Sequence, residues 1–136
     1  KDHVFYYKWI KDMSEICSLY FNIIKKNRLN FSLKTSRGCK RYHIDNVPVR
    51  LLVTYYGKGT EWLPRDACNY SAYYNGESNE KIIKIKNRSK FVKPWSIAVF
   101  RGQQFKEGTE AILHRTPNEA LHKKSLLMCL DSEAFS

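Results

Sequence analysis

Around residue 29 the spacing of apolar residues switches from helical to alternating, and in a chain of 136 residues that switch leaves few architectures open. Before it, VFYYKWIKDMSEICSLYFNIIKK places Phe5, Trp9, Met13, Ile16 or Cys17, Tyr20 and Ile24 three or four residues apart, one stripe of an amphipathic helix. Such a stripe is core packing and needs a sheet to cover. After it, Leu29, Phe31 and Leu33 in LNFSLKT alternate with polar neighbours, as a strand with one wet face does. Arg37-Gly38 reads as a turn. The short β-rich runs CKRYHID, VRLLVTYY, KIIKIK, SIAVF, AILH and SLLMCL follow, separated by Asn-Val-Pro, Gly-Lys-Gly, Asn-Gly-Glu-Ser, Lys-Pro-Trp, Gly-Gln-Gln and Thr-Pro-Asn. Many short strands at this spacing predict a mainly-β sandwich or barrel rather than a parallel α/β sheet. We expect one domain over 1–136, with a helix over 1–27 packed on a β-barrel over 28–136.

Composition narrows the partners. Hydrophobic residues make up 43% of the chain and the net charge is +11, so a core can form and the surface field favours anions such as nucleic acid, lipid headgroups or carboxylate metabolites. Cys17, Cys39, Cys68 and Cys129 form no C-x-x-C pair, so no zinc knuckle or redox motif is spelled out and reduced core thiols are expected. No secretory signal and no apolar run near the roughly 20 residues that span a bilayer is visible, which leads to the expectation of a soluble, cytoplasmic protein with no membrane partner.

One pair of residues carries candidate chemistry. In a strand, residues i and i+2 share a face, so His43 and Asp45 of CKRYHID project together. Two histidines and a carboxylate on one face hold iron(II) in non-haem oxygenases and leave the opposite positions open. The third ligand must come from His3, His114 or His122. His3 sits near a chain end and His122 in the charged stretch NEALHKK, whereas His114 ends the apolar run AILH, so His114 is the chosen partner. The rival reading is a histidine that merely hydrogen-bonds a loop carbonyl. Arg50, Leu52 and Thr54 share one face of VRLLVTYY. If that face looks inward, Arg50 and Thr54 can bind a carboxylate; if outward, Arg50 is a surface ion-pair partner. Arg115, directly after His114, should face away from the metal, and Tyr55 in TYYGKGTEW is a candidate for the mouth of the site.

The blocks CKRYHIDNVPVRLLVTYYGKGTEWLP, SIAVFRGQQ, ILHRTP and SLLMCLD resemble domain of unknown function family 1826, from about Leu29 to Asp131. More distantly, the order His-x-Asp, long spacer, His is similar to that of cupin-like proteins and iron(II)/2-oxoglutarate-dependent oxygenases. The resemblance implies a double-stranded β-helix, or jelly roll, with His43, Asp45 and His114 in its mouth; from that ligand set we expect Fe(II) and 2-oxoglutarate as cofactors of a dioxygenase acting on a small or anionic substrate. It supplies no activity of its own, because one barrel hosts unrelated chemistries. Superfamily spacing points to Lys124, ten residues past His114, as a further co-substrate ligand beside Arg50, Thr54, Tyr55 and Arg115. The genes of family 1826 tend to sit near zinc-homeostasis genes, which keeps a non-catalytic Zn(II) protein as an alternative. A third reading is a nucleic-acid-binding module, since Lys84, Lys86, Arg88 and Lys90 are interleaved with apolar residues in EKIIKIKNRSKFVKPW; the same alternation marks any strand with a solvated face.

Overall fold

The computed structural model describes residues 2–25, 28–105 and 107–132. In chain order its elements are α1 (Asp2–Ile24), β1 (Asn30–Lys34), β2 (Val49–Tyr56), β3 (Glu61–Leu63), α2 (Tyr70–Tyr74), α3 (Asn79–Ile82), β4 (Lys90–Phe91), β5 (Ile97–Arg101), β6 (Leu113–Arg115) and β7 (Leu126–Asp131). Short 3-10 turns at Arg65–Ala67 and Asn118–Ala120 complete the set. The architecture is mixed α/β: an N-terminal helix with two antiparallel sheets. Residues 1, 26 and 27 of the expected helix lie outside the described residues.

The first sheet has the order β1-β7-β2-β5, and α1 covers one of its faces. Met13, Ile16 and Tyr20, at three- and four-residue spacing, are buried against Leu51, Val53 and Tyr55 of β2 and Met128 and Leu130 of β7. Trp9, Cys17 and Ile24 flank them as the stripe requires, while Phe5 stays half exposed, its ring T-shaped against that of Trp95. Two hydrogen bonds tie helix to sheet: Tyr20 Oη donates to the Val49 carbonyl at 2.8 Å and Tyr55 Oη to Asp12 Oδ2 at 2.7 Å.

Alternation sends the even residues of β2 to the opposite face, where Leu52 packs with Phe100 of β5 and Leu127 and Cys129 of β7. The second sheet, β4-β3-β6, lies over this face, with Trp62 and Ile112 against the same cluster. Behind it, Leu63 and Leu113 join Tyr42, Ile44, Tyr73 and Ile82 in a third cluster that α2 and α3 close.

Two of the expected strands take other forms. In CKRYHID only His43 makes a β-bridge, because its neighbours find side-chain partners instead: Tyr42 N donates to Asn79 Oδ1 and Ile44 N to Tyr73 Oη. In KIIKIK, Lys81 and Ile82 end α3, and Ile83 bridges Cys68. Ile82 is fully buried between α2 and Tyr42, a position that a solvated edge strand would not provide. The described helix α1 is not long and apolar enough to cross a membrane, nor is any other among the described residues.

Candidate metal centre

Backbone pairing brings the two histidines together. His43 N donates to the His114 carbonyl at 3.0 Å and His114 N to the His43 carbonyl at 3.1 Å, a hydrogen-bonded antiparallel pair that puts both side chains on one face. Their rings lie 4.7 Å apart, and Phe100 stacks on the His114 ring at 4.1 Å. Asp45 follows two residues after His43. Its Oδ2 lies 2.9 Å from His114 Nε2 and its Oδ1 3.4 Å from His43 Nε2. One ligand atom from each of the three residues falls within 4.8 Å of the others.

The remaining ring nitrogens define the tautomers. His43 Nδ1 is 2.7 Å from the Arg41 carbonyl and His114 Nδ1 is 3.3 Å from the Ile112 carbonyl. A carbonyl only accepts, so each Nδ1 carries a proton, and each Nε2 faces Asp45: protonated, it donates to the carboxylate; unprotonated, it offers a lone pair to a cation. Three acceptors that face one another repel unless a proton or a cation sits among them. Two imidazoles with backbone-anchored Nδ1 atoms and one carboxylate therefore fit a divalent ion of the iron(II) or zinc class.

Electrostatics prepare the same site. Burial alone would raise the Asp45 carboxyl, but hydrogen bonds from His114 and His43 and the charge of Arg50 hold it far below the usual carboxylate range. Burial would likewise lower His43, yet Asp45 and the Arg41 carbonyl leave its pKa raised. Arg50 Nη1 donates to Asp45 Oδ1 at 2.6 Å, while Nε and Nη2 form a fork on Asp131 at 2.6 and 2.8 Å. Asp131 stands directly opposite Arg50 across the β2–β7 pair, so the sheet register itself orients the guanidinium.

Residues 2–131 match the model of a family described as "Protein of unknown function (DUF1826)". The chain belongs to the DUF1826 family. No curated protein and no solved structure matches it.

Within this DUF1826 chain the structure unites His43, Asp45, His114 and Arg50 around one cleft of 430 Å³, which Lys34, Arg37, Leu52, Leu127 and Cys129 also line. Other candidates fall elsewhere. Tyr55 sits on the α1 face of β2, the wrong parity for the cleft, with its hydroxyl on Asp12. Thr54 has the right parity but is buried opposite Leu127 and does not line the cleft. Lys124 is exposed in the loop before β7, because Pro117 and the 3-10 turn at Asn118–Ala120 end β6 and spend the ten residues after His114 on a solvent excursion. Arg115 is the exception: it borders the cleft, but its guanidinium is taken by Glu61, at 3.0 and 3.2 Å. His3 is exposed on α1 and His122 is exposed in the loop after the 3-10 turn. Lys84, Lys86, Arg88 and Lys90 are exposed but do not share a strand: Lys84 lies in a bend and Lys86 in a turn, Arg88 follows in an irregular segment and pairs with Asp66, and Lys90 belongs to β4 and lies over the Trp62 ring.

Two features of the site escape a linear reading. The segment Gly102-Gln103-Gln104 clamps the Asp45 loop: Gly102 N donates to the Pro48 carbonyl, Gln103 N to the Asp45 carbonyl and Gln103 Nε2 to the Ile44 carbonyl. A Cβ on Gly102 would lie 1.8 Å from the Val47 oxygen, so only glycine permits this approach. Gly-Gln-Gln between strands reads as turn punctuation, and nothing local marks it as a clamp. Arg37 is the second. The sequence marks it as a turn residue, but it lies in an irregular segment and its side chain, only 8% exposed, folds back into the cleft.

Proposed function

We propose that the chain is a divalent-metal protein of the two-histidine, one-carboxylate type, with His43, Asp45 and His114 as ligands. Within that class we favour an iron(II)/2-oxoglutarate-dependent oxygenase on a cupin-like double-stranded β-helix. The carrying observation is the convergence of two imidazole Nε2 atoms and an ionised carboxylate within 4.8 Å, with both Nδ1 atoms held by carbonyls. Two antiparallel sheets that face each other, with the triad at the cleft between them, support the cupin-like reading. The excess of cations along the cleft supports an anionic co-substrate.

A bound iron(II) would supply dioxygen activation coupled to oxidation of the oxo acid. The chain's own residues do the rest. Arg50 keeps Asp45 ionised and fixes its orientation, and Phe100 holds the plane of the His114 ring. Leu52, Leu127 and Cys129 form an apolar wall that limits water on one side of the cleft.

Metal analysis of protein purified without an affinity tag or chelator, compared with His43→Ala, tests the ligand set. We expect one equivalent of metal in the first and a near-complete loss in the second; equal content in both would sink the site. Anaerobic titration then separates the chemistries. A charge-transfer band that appears only with iron(II) and 2-oxoglutarate together supports the oxygenase, whereas tight zinc binding without that band redirects the reading to zinc carriage.

A further inference from the structure

The cations of the cleft are unequally satisfied. Arg50 meets Asp45 and Asp131, and Arg115 meets Glu61. Lys34, at the end of the edge strand β1, is exposed and solvated. Arg37 differs from all three. It is 8% exposed, yet no carboxylate pairs with it among the described residues. Nη1 donates to the Lys58 carbonyl at 2.6 Å and Nη2 to Thr60 Oγ1 at 3.1 Å, while Nε is buried with no acceptor among the described residues. A guanidinium has five N–H donors, and burying its charge without a counter-ion is costly unless something else supplies the anion.

We infer that Arg37, with the Thr60 hydroxyl beside it, is the anchor for the carboxylate of a small organic acid bound in the metal-site cleft. The neutral partners already present fix the guanidinium without spending its charge, which leaves one positive charge for a ligand. A carboxylate matches it in charge and in planar shape; a phosphate dianion would call on several cations or a row of backbone N–H groups. The volume of 430 Å³ suits a ligand of metabolite size, with Leu52 and Leu127 packing on its carbon chain. The inference rests on the metal-centre reading only for the ligand's second contact, at the ion.

Titration calorimetry of zinc-loaded and metal-free wild type, Arg37→Gln and Arg37→Lys tests it, with 2-oxoglutarate, succinate and inorganic phosphate as probes. Zinc affinity should be equal in wild type and Arg37→Gln. Dicarboxylate affinity should fall on the order of tenfold to hundredfold in Arg37→Gln. Arg37→Lys, which keeps the charge and loses the fork, should fall by about threefold to tenfold, and it carries the comparison if Arg37→Gln does not fold. Equal dicarboxylate affinity in wild type and variants, or none in folded wild type, would overturn the inference. Phosphate binding tighter than succinate, with the same dependence on Arg37, would overturn the carboxylate assignment. If the protein binds no zinc but succinate binding still depends on Arg37, the metal function fails and this anchor stands. Zinc binding that needs His43 together with succinate binding indifferent to Arg37 gives the reverse.

Discussion

The two faces of the first sheet are built from the same strands and follow different rules. On the α1 face, Leu51, Val53, Met128 and Leu130 meet Met13, Ile16 and Tyr20, and the contact is apolar apart from the hydrogen bonds of Tyr20 and Tyr55 at its margin. On the other face, the alternate residues Arg50, Leu52, Leu127 and Cys129 of the same two strands border the metal-site cleft, and Asp131 beside them holds Arg50. Non-directional burial holds the first face, and any set of side chains of similar volume would serve it. The second depends on three segments, at residues 43–45, 102–104 and 114, arriving at set distances, so its tolerance for displacement is small.

Breaking the second face at its clamp should have the largest effect. Gly102→Ala places a methyl against the Val47 and Asp45 carbonyls, so the Asp45 loop must move; we expect a loss of about 4 kcal/mol in urea denaturation and no retained metal. On the first face, Leu51→Ala should lose about 3 kcal/mol through its cavity and keep full metal stoichiometry, which sharpens the contrast between packing and convergence.

Titration separates the faces next. His43 has a raised pKa in the metal-free protein, so its contribution to stability is full below its ordinary 6.5 and is lost as pH rises through the raised folded value. Metal needs the unprotonated ring, so metal affinity should change the opposite way, weakening by up to about tenfold per pH unit as pH falls through that range. Asp45, held low, contributes above its ordinary 3.8 and loses that contribution as pH falls toward its folded value. Thermal melts of metal-free protein against pH, with Leu51→Ala in parallel, should show a constant offset between the two. An offset that varies with pH would show that the faces are coupled. The smallest effect expected is that of Tyr55→Phe, about 1 kcal/mol from the lost hydrogen bond to Asp12, with metal binding unchanged by calorimetry.

Legibility in the sequence follows the range of each interaction. The helix stripe, β2 and β7 are read correctly because burial of one face imposes a local period, 3.6 or 2, on adjacent residues. His43 and Asp45 show in the sequence as neighbours two apart, and His114 as the histidine at a strand end. The failures are all non-local. CKRYHID reads as a strand until Asn79 and Tyr73 take its N–H groups, and KIIKIK reads as a strand until Ile82 is seen to fill a core pocket. Lys124 follows from counting along the chain, where a 3-10 turn intervenes.

The amino-acid order by itself determined the covering helix, the alternating strands and the chemistry that three of its side chains can offer, because those properties depend on residue type and near spacing. Only the tertiary structure decided that the three side chains share a point, that Gly102 pins the Asp45 loop and that Arg37 is buried with no acid against it among the described residues. Those outcomes turn on how segments up to 69 residues apart pair and pack, a matter of register and close approach that no local pattern encodes.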